Sequence, residues 1–229
     1  MHAGIAPPLL RHPGVDRLKI CLTGLVLLHH AAMTYGGAPG WFWQAPSASG
    51  TPTAQVLSIL VLVNQTFFMG LFFLIAGAHV PAALRRSPAH AYAAERALRL
   101  GLPSLLFAIA LGPITVALAS TSAGYTIGGT LNWAWQTRAT YPGPMWFALA
   151  LLGMSLVASA LRGTLIAAAA SRPFPSNGAL WQGVLACGVL AFMLRLAWPV
   201  GEAVWGFQFG HFASYLLLFG AGIHAARHG

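Results

Sequence analysis

The sequence predicts an all-α fold, a polytopic membrane helix bundle of about six transmembrane helices. Of its 229 residues, 57% are apolar and only 7% are charged, whereas a soluble domain carries about 25% charged residues. The mean hydropathy is +0.70, and the apolar residues fall into blocks of about twenty, the length at which a helix crosses about 30 Å of hydrocarbon. These observations exclude a soluble globular domain, a disordered chain and a disulfide scaffold. The spans must be helical, because backbone polar groups in lipid pair within their own segment.

The charge balance argues against a nucleic-acid partner. The net charge of +9 arises because only three acids, Asp16, Glu95 and Glu202, stand against twelve Lys and Arg. No nucleic-acid recognition module is visible. Cys21 and Cys187 lie inside apolar blocks and lack the spacing of a redox or zinc motif, so we predict no metal site.

Six apolar segments are predicted to cross the membrane and to form one membrane domain over residues 1–229. The segments are 18–36, 56–83, 98–120, 145–162, 180–198 and 208–226. The second segment is long and contains Asn64, Gln65, Gly70 and Gly77, so we expect it to be tilted or kinked.

The distribution of basic residues predicts a cytoplasmic N-terminus by the positive-inside rule. With this orientation ten cations lie at inner ends or loops: Arg11, Arg17, Lys19, Arg85, Arg86, Arg96, Arg99, Arg162, Arg172 and Arg227. Only Arg138 and Arg195 then lie outside. A cleaved signal peptide is the alternative for the first segment. His29 and His30 directly after its apolar core, and Asp16 in its basic flank, argue against cleavage.

The first span carries a polar stripe. On a helical wheel its members fall within about 60° of one another: Asp16, Lys19, Thr23, His30 and Thr34. Ionisable groups are expensive in hydrocarbon, so we expect the stripe to face the bundle interior or a wet cavity. His29 points about 100° away from His30. His30 lies about 16 Å along the axis from Lys19, and its imidazole suits general-base catalysis near neutral pH.

Other roles for His30 remain open from the stripe alone. The imidazole can serve as an interhelical hydrogen-bonding group, as part of a proton relay, or as a haem ligand. Haem binding would need a second axial histidine, and His79 and His211 do not make a convincing pair. We therefore keep both a structural and a catalytic interpretation.

A basic cluster lies between the second and third spans. Arg85 and Arg86 begin it, and Arg96 and Arg99 follow one helical turn apart. Paired guanidinium groups on one face suit bidentate phosphate binding. Anionic lipid headgroups would satisfy them equally well, and Glu95 can pair with a neighbouring arginine.

The outer connections are rich in turn and aromatic residues. Residues 36–55 and 121–144 are the longest, and residues 195–211 form a third. In this last segment Arg195 and Glu202 lie among four rings: Trp198, Trp205, Phe207 and Phe209. The rings can stack on a sugar, but an interfacial aromatic belt has the same composition, and we favour the belt.

Four sequence elements occur in one order along the chain. They are Asp16-Arg-Leu-Lys19 followed after ten residues by His30, Phe72-Phe-Leu-Ile-Ala-Gly77, Arg96-x-x-Arg99-x-x-x-Pro103 and Gly143-Pro-Met-Trp146-Phe147. In these elements the chain resembles the membrane acyltransferase-3 family. The segments 198–215 and 222–226 are similar to its glucan biosynthesis protein C branch, the glucan succinyltransferases. Lys19 replaces the commoner Arg and Ala76 the usual Ser. The family usually has about ten spans, so we expect the front part of a longer protein or a natural short form.

The resemblance implies an enzyme that moves an acyl group, acetyl or succinyl, from a cytoplasmic acyl-coenzyme A to a hydroxyl of an extracytoplasmic glycan. It implies His30 as the catalytic residue. The candidate substrate-binding residues are Asp16, Lys19, Arg96, Arg99, Trp146 and Arg195. No tightly bound cofactor is expected, the bilayer of a bacterial inner membrane is the expected setting, and the oligomeric state is open.

The alternative is a non-catalytic membrane protein: a small-solute transporter, a partner subunit or an inactive short form. A transporter would be expected to show broken helices in inverted repeats, and the sequence has no convincing internal symmetry.

Overall fold

The computed structural model describes residues 13–37, 41–45, 50–169 and 175–226, and within these ranges the chain is helical and contains no strand. The predicted all-α class is confirmed. Arg11, Arg172 and Arg227, which the orientation argument used, lie outside the described residues.

Eight helices organise the described chain. They are α1 (Pro13–Ala32), α2 (Pro52–Arg86), α3 (Ala89–Ala123), α4 (Ile127–Thr137), α5 (Trp146–Ala160), α6 (Arg162–Ala169), α7 (Asn177–Ala197) and α8 (Phe212–Ala225). Five of them, with their short end turns, are long and apolar enough to cross a membrane: α1, α2, α3, α5 and α7. The protein is therefore a multi-pass membrane protein.

The sixth predicted span, 208–226, is the exception. Its helix α8 has 14 residues, which rise about 21 Å against the roughly 30 Å of a hydrocarbon core. The 3-10 turn Phe209–His211 precedes it and takes up residues that we assigned to the span. Among the described helices, five of the six predicted spans are therefore confirmed and the sixth is shorter than predicted.

Helix α2 is the centre of the bundle, and α1, α5 and α8 pack on it. Phe73 is fully buried on α2. Its ring lies 4.7 Å from that of Phe147 on α5 and 4.9 Å from that of Tyr215 on α8, between ring centroids. The Phe72–Gly77 and Gly143–Phe147 elements of the sequence thus meet in one aromatic core.

Two glycines let α2 and α8 cross closely. A Cβ on Gly77 would run into the carbonyl of Phe219, and a Cβ on Gly222 would run into the carbonyl of Leu74. Small residues at such crossings let backbones approach, as is common between membrane helices. Packing therefore explains Gly77. Helix α2 is continuous over Pro52–Arg86, and its expected tilt or kink stays a prediction.

Helix α3 accommodates two prolines by widening. The π-helical turns Ala97–Gly101 and Phe107–Leu111 come just before Pro103 and Pro113. A proline has no N–H and its ring clashes with the carbonyl four residues earlier, so a wider turn lets the helix continue past it. The helix starts at Ala89, nine residues before the predicted start of the span.

Helix α4 lies in the outer connection that we expected to be a loop. Thr126 caps its N-terminus by accepting a hydrogen bond from the Gly129 amide, 3.1 Å between N and Oγ1. Arg138 ends it in the left-handed conformation, with φ of 51°. The helix packs back on the outer end of α3.

Candidate active site

The two adjacent histidines of α1 occupy different environments. Leu22, His29 and Ala32 form the buried face of α1 against α2, and His29 is only 6% exposed. His30 is half-buried and points away from this face. The predicted difference in direction between the two side chains is confirmed.

The polar stripe does not lie on the face of α1 that packs against α2 in the described part of the chain, and the alternative that it lines a wet cavity stays a prediction. Asp16 and Thr23 are exposed, and Lys19, His30 and Thr34 are partly exposed. The stripe is centred about 130° from the buried face, because the apolar contact between α1 and α2 fixes how α1 is rotated. The Thr23 hydroxyl donates to the Lys19 carbonyl of its own helix at 2.9 Å, which satisfies it without a partner helix.

His29 holds the interhelical hydrogen bond. The Nδ2 of Asn64 on α2 lies 3.3 Å from Nδ1 of His29 and donates to the Leu25 carbonyl at 3.2 Å. Phe68 stacks on the His29 ring with centroids 4.9 Å apart. The bonding role that competed with catalysis for His30 therefore belongs to its neighbour.

His30 stacks on an outer-loop tryptophan. The rings of His30 and Trp41 are nearly parallel, with an interplanar angle of 10° and centroids 4.3 Å apart. The loop folds back on α1 because the Ala45 amide donates to the Thr34 carbonyl at 2.9 Å. Within the described part of the chain, the ring nitrogens of His30 make no hydrogen bond, so they are available to a ligand.

The turn before α5 joins this loop to the aromatic core. Gly143 has a φ of +46°, and a Cβ there would meet the rings of Phe42 and Phe107, so the position requires glycine. Trp41 and Phe42 contact edge to face at 5.1 Å. Trp146, at the start of α5, stacks on Tyr215 with centroids 5.9 Å apart. The Gly143 turn thus lies between the Trp41–Phe42 pair beside His30 and Trp146, which follows three residues later.

The last turn of α7 contributes Arg195, the cation at this end of the bundle. The Nε of Arg195 donates to the Gly210 carbonyl at 3.3 Å, and the guanidinium is otherwise exposed. Burial lowers the pKa of His211, which lies in the 3-10 turn outside the five spans, and the Arg195 charge lowers it further. Both effects disfavour the protonated form of the His211 imidazole. The rings of Trp198 and Phe209 pack on each other with centroids 5.5 Å apart, and the aromatic belt stays a prediction.

At the inner end, each candidate binding cation has a partner one turn away on its own helix. Lys19 Nζ lies 3.6 Å from the Asp16 carboxylate. Arg99 lies 3.1 Å from Glu95, so the expected pairing of Glu95 is confirmed. The guanidinium carbon of Arg96 lies 5.1 Å from the centroid of the Tyr92 ring. The contacts of these cations are local and do not bring Lys19, Arg96 and Arg99 together.

Three residues of the site were not singled out as functional from the sequence: Trp41, Tyr92 and Asn64. Asn64 had the clearest signal, since a polar side chain in a lipid-spanning helix usually faces a partner. Tyr92 is fully buried beneath Arg96, and its spacing of four residues from Arg96 was the available signal. No group of three or more His, Cys, Asp or Glu side chains gathers to hold a metal ion in the described ranges. The expected absence of a metal stays a prediction.

A model of the acyltransferase-3 family, described as an acyltransferase domain, matches residues 12–229. Neither the curated proteins nor the solved structures contain a significant match to the chain. Assignment to the glucan branch therefore rests on the sequence resemblance alone. The family match supports an enzyme and not the alternative of a non-catalytic membrane protein.

Proposed function

Because the chain belongs to the acyltransferase-3 family and is thus an acyltransferase of groups other than amino-acyl groups, we propose that it moves an acyl group across the membrane. The donor is a cytoplasmic acyl-coenzyme A and the acceptor is a hydroxyl of an extracytoplasmic glycan. The separation of cations from aromatic rings supports this division. Lys19, Arg96 and Arg99 lie at the inner end of the predicted orientation, and Trp146 and Arg195 lie at the outer end.

The observation that carries the proposal is the state of His30. It is a half-buried imidazole with no hydrogen bond to its ring from the described chain, whereas His29 and His79 are both bonded. A free ring nitrogen can remove the proton from the acceptor hydroxyl as its oxygen attacks the thioester carbonyl. The new C–O bond forms, the C–S bond breaks, and the thiolate of coenzyme A receives the proton. Base catalysis by one positioned group is typically worth 10²–10⁴-fold.

The inner cations would hold the donor. Phosphate groups favour guanidinium donors, and Tyr92 places the Arg96 guanidinium by a cation–π contact. Asp16 orients Lys19 in the same way through their ion pair. His30 lies about 16 Å from Lys19 along α1. The acyl group therefore has to pass from the end of the bundle that contains Lys19 toward the opposite end. His30 can also serve as a relay for the acyl group on this path.

The outer rings would hold the acceptor. Trp41, which stacks on His30, and Trp146 offer aromatic ring faces for a sugar, and Arg195 adds a cation. From the sequence resemblance we propose a glucan as the acceptor, an acetyl or succinyl group as the cargo, and a bacterial inner membrane as the location.

The direct test is His30→Ala in vesicles, with His79→Ala as the matched control because His79 also lies on a membrane helix. Coenzyme A release from acetyl- or succinyl-coenzyme A is measured with glucan oligosaccharides as acceptor. We expect at least a 100-fold loss for His30→Ala and near wild-type release for His79→Ala. Equal release by His30→Ala and the wild type would refute the catalytic assignment.

A further inference from the structure

The buried side-chain amide of Asn64 on α2 contacts α1 next to His30. Asn64 is only 4% exposed, and its Nδ2 lies within hydrogen-bond distance of both the Leu25 carbonyl and Nδ1 of His29, at 3.2 and 3.3 Å. An amide nitrogen can only donate, so Nδ1 of His29 is the acceptor and its ring proton lies on Nε2. Asn64 therefore fixes both the orientation and the tautomer of the His29 ring.

His29 transmits this constraint to its neighbour by ring contact. The rings of His29 and His30 meet edge to face, with centroids 5.8 Å apart and an interplanar angle of 82°. His30 also stacks on Trp41. The His30 imidazole thus rests against two rings, one set by α2 through Asn64 and the other by the outer loop.

Packing alone does not require a polar residue at position 64. The Oδ1 of Asn64 is buried and has no hydrogen-bond partner among the described residues. An unpaired buried acceptor lowers stability, and an apolar side chain of similar size would avoid that loss. A buried polar contact can instead select one arrangement of two helices over others.

We propose that Asn64 is a positioning residue for acyl transfer, which through His29 holds the His30 imidazole in its working orientation. This inference rests on the proposed role of His30. Asn64 need not touch the donor, because Lys19, one of the proposed donor ligands, lies about 16 Å from His30 along α1. Its loss should therefore lower kcat and leave the KM for acyl-coenzyme A unchanged.

The test compares Asn64→Leu with Thr66→Val, which removes a polar group from an exposed position of α2 at similar depth. Activity, thermal unfolding in detergent and the side-chain ¹⁵N resonances of His30 are measured, the last assigned by their loss in His30→Ala. For Asn64→Leu we expect kcat to fall about tenfold or more, KM to stay within about twofold, and the His30 resonances to shift or broaden. Its unfolding temperature, compared with that of Thr66→Val, separates loss of folded protein from loss of catalysis.

A second variant, Asn64→Ser, keeps one hydrogen-bond donor in a smaller side chain. We expect its kcat to lie between those of the wild type and Asn64→Leu. This variant tests the positioning role if Asn64→Leu does not fold. Unchanged kcat and unchanged His30 resonances would overturn the positioning role. A fall in activity only in proportion to lost folded protein would overturn it as well. If the wild type releases no coenzyme A, the proposed function fails, and the His30 resonances still decide whether Asn64 positions the ring.

Discussion

At the scale of single residues, adjacent positions on a helix differ in direction by about 100°, and this difference gives His29 and His30 different surroundings. The sequence predicts that His29 and His30 face different ways, since this follows from helix geometry alone. It does not predict which of them faces α2. The burial of His29 depends on Asn64 and Phe68, which contact it from α2. The hydrophobic periodicity of α1 carries no information about residues on another helix.

The cations at the predicted cytoplasmic end of the bundle lead to a prediction for one side chain, Arg96. Arg96→Gln removes the guanidinium that Tyr92 supports, so the KM for acyl-coenzyme A should rise about tenfold, the equivalent of about 1.4 kcal/mol, with little change in kcat. Steady-state kinetics over a range of donor concentrations measures both constants.

Arg17→Gln is the control for Arg96→Gln, because it removes an exposed cation from the same face of the membrane. If Arg17→Gln raised the KM equally, general attraction of the anionic donor would explain the effect, and Arg96 would have no specific role. An unchanged KM in Arg96→Gln would also contradict its assignment to donor binding.

At the scale of helices, the length of an apolar segment predicts that a membrane span exists more accurately than it predicts where the span begins and ends. Five spans were recognisable because hydrophobic blocks of membrane length are rare elsewhere. The early start of α3 could not be predicted in this way, since His90, Glu95 and Arg96 make residues 89–97 look like a connection between two spans. Helix α4 was missed because its caps, Thr126 and Arg138, are ordinary loop residues by composition.

The crossing of α2 and α8 leads to a stability prediction. Gly222→Ala places a methyl group against the Leu74 carbonyl, so the helices must separate, and overpacking of this kind typically costs about 1–3 kcal/mol. Thermal unfolding of the purified protein in detergent should show a clear drop in midpoint.

Gly220→Ala supplies the internal control. It lies on the same helix with open space around its Cβ, and alanine is the better helix former by roughly 0.5–1 kcal/mol. Its unfolding midpoint should equal or exceed that of the wild type. Equal effects of the two substitutions would show that the close crossing does not limit stability.

At the scale of the whole molecule, the cations are sorted toward one end. Arg162 Nε donates to the Leu84 carbonyl at 3.0 Å, and the Ser159 hydroxyl donates to the Ala89 carbonyl at 2.8 Å. These contacts bring the end of α2, the start of α3 and the end of α5 together. Arg85, Arg86 and Arg162 therefore share one end of the bundle, as the positive-inside rule requires. The cytoplasmic N-terminus itself stays a prediction.

Family motifs in the sequence proved to be of two physical kinds. Phe73, Gly77, Phe147 and Tyr215 build the helix packing, so their spacing carries information about the fold. Lys19 and His30 lie on a flank of α1 outside the packed face, and no requirement of the described bundle explains them. A functional role for these two residues could be predicted from the sequence, but their surroundings could not.

The central claim is that the acyl group passes from an inner donor to an outer acceptor by way of His30. Inside-out membrane vesicles with a glucan oligosaccharide trapped in the lumen test it directly when radiolabelled acetyl- or succinyl-coenzyme A is added outside. We predict label on the trapped glucan with the wild type, none with His30→Ala, and none in right-side-out vesicles given the same external donor. Equal labelling by His30→Ala, or labelling that does not depend on vesicle orientation, would contradict the account.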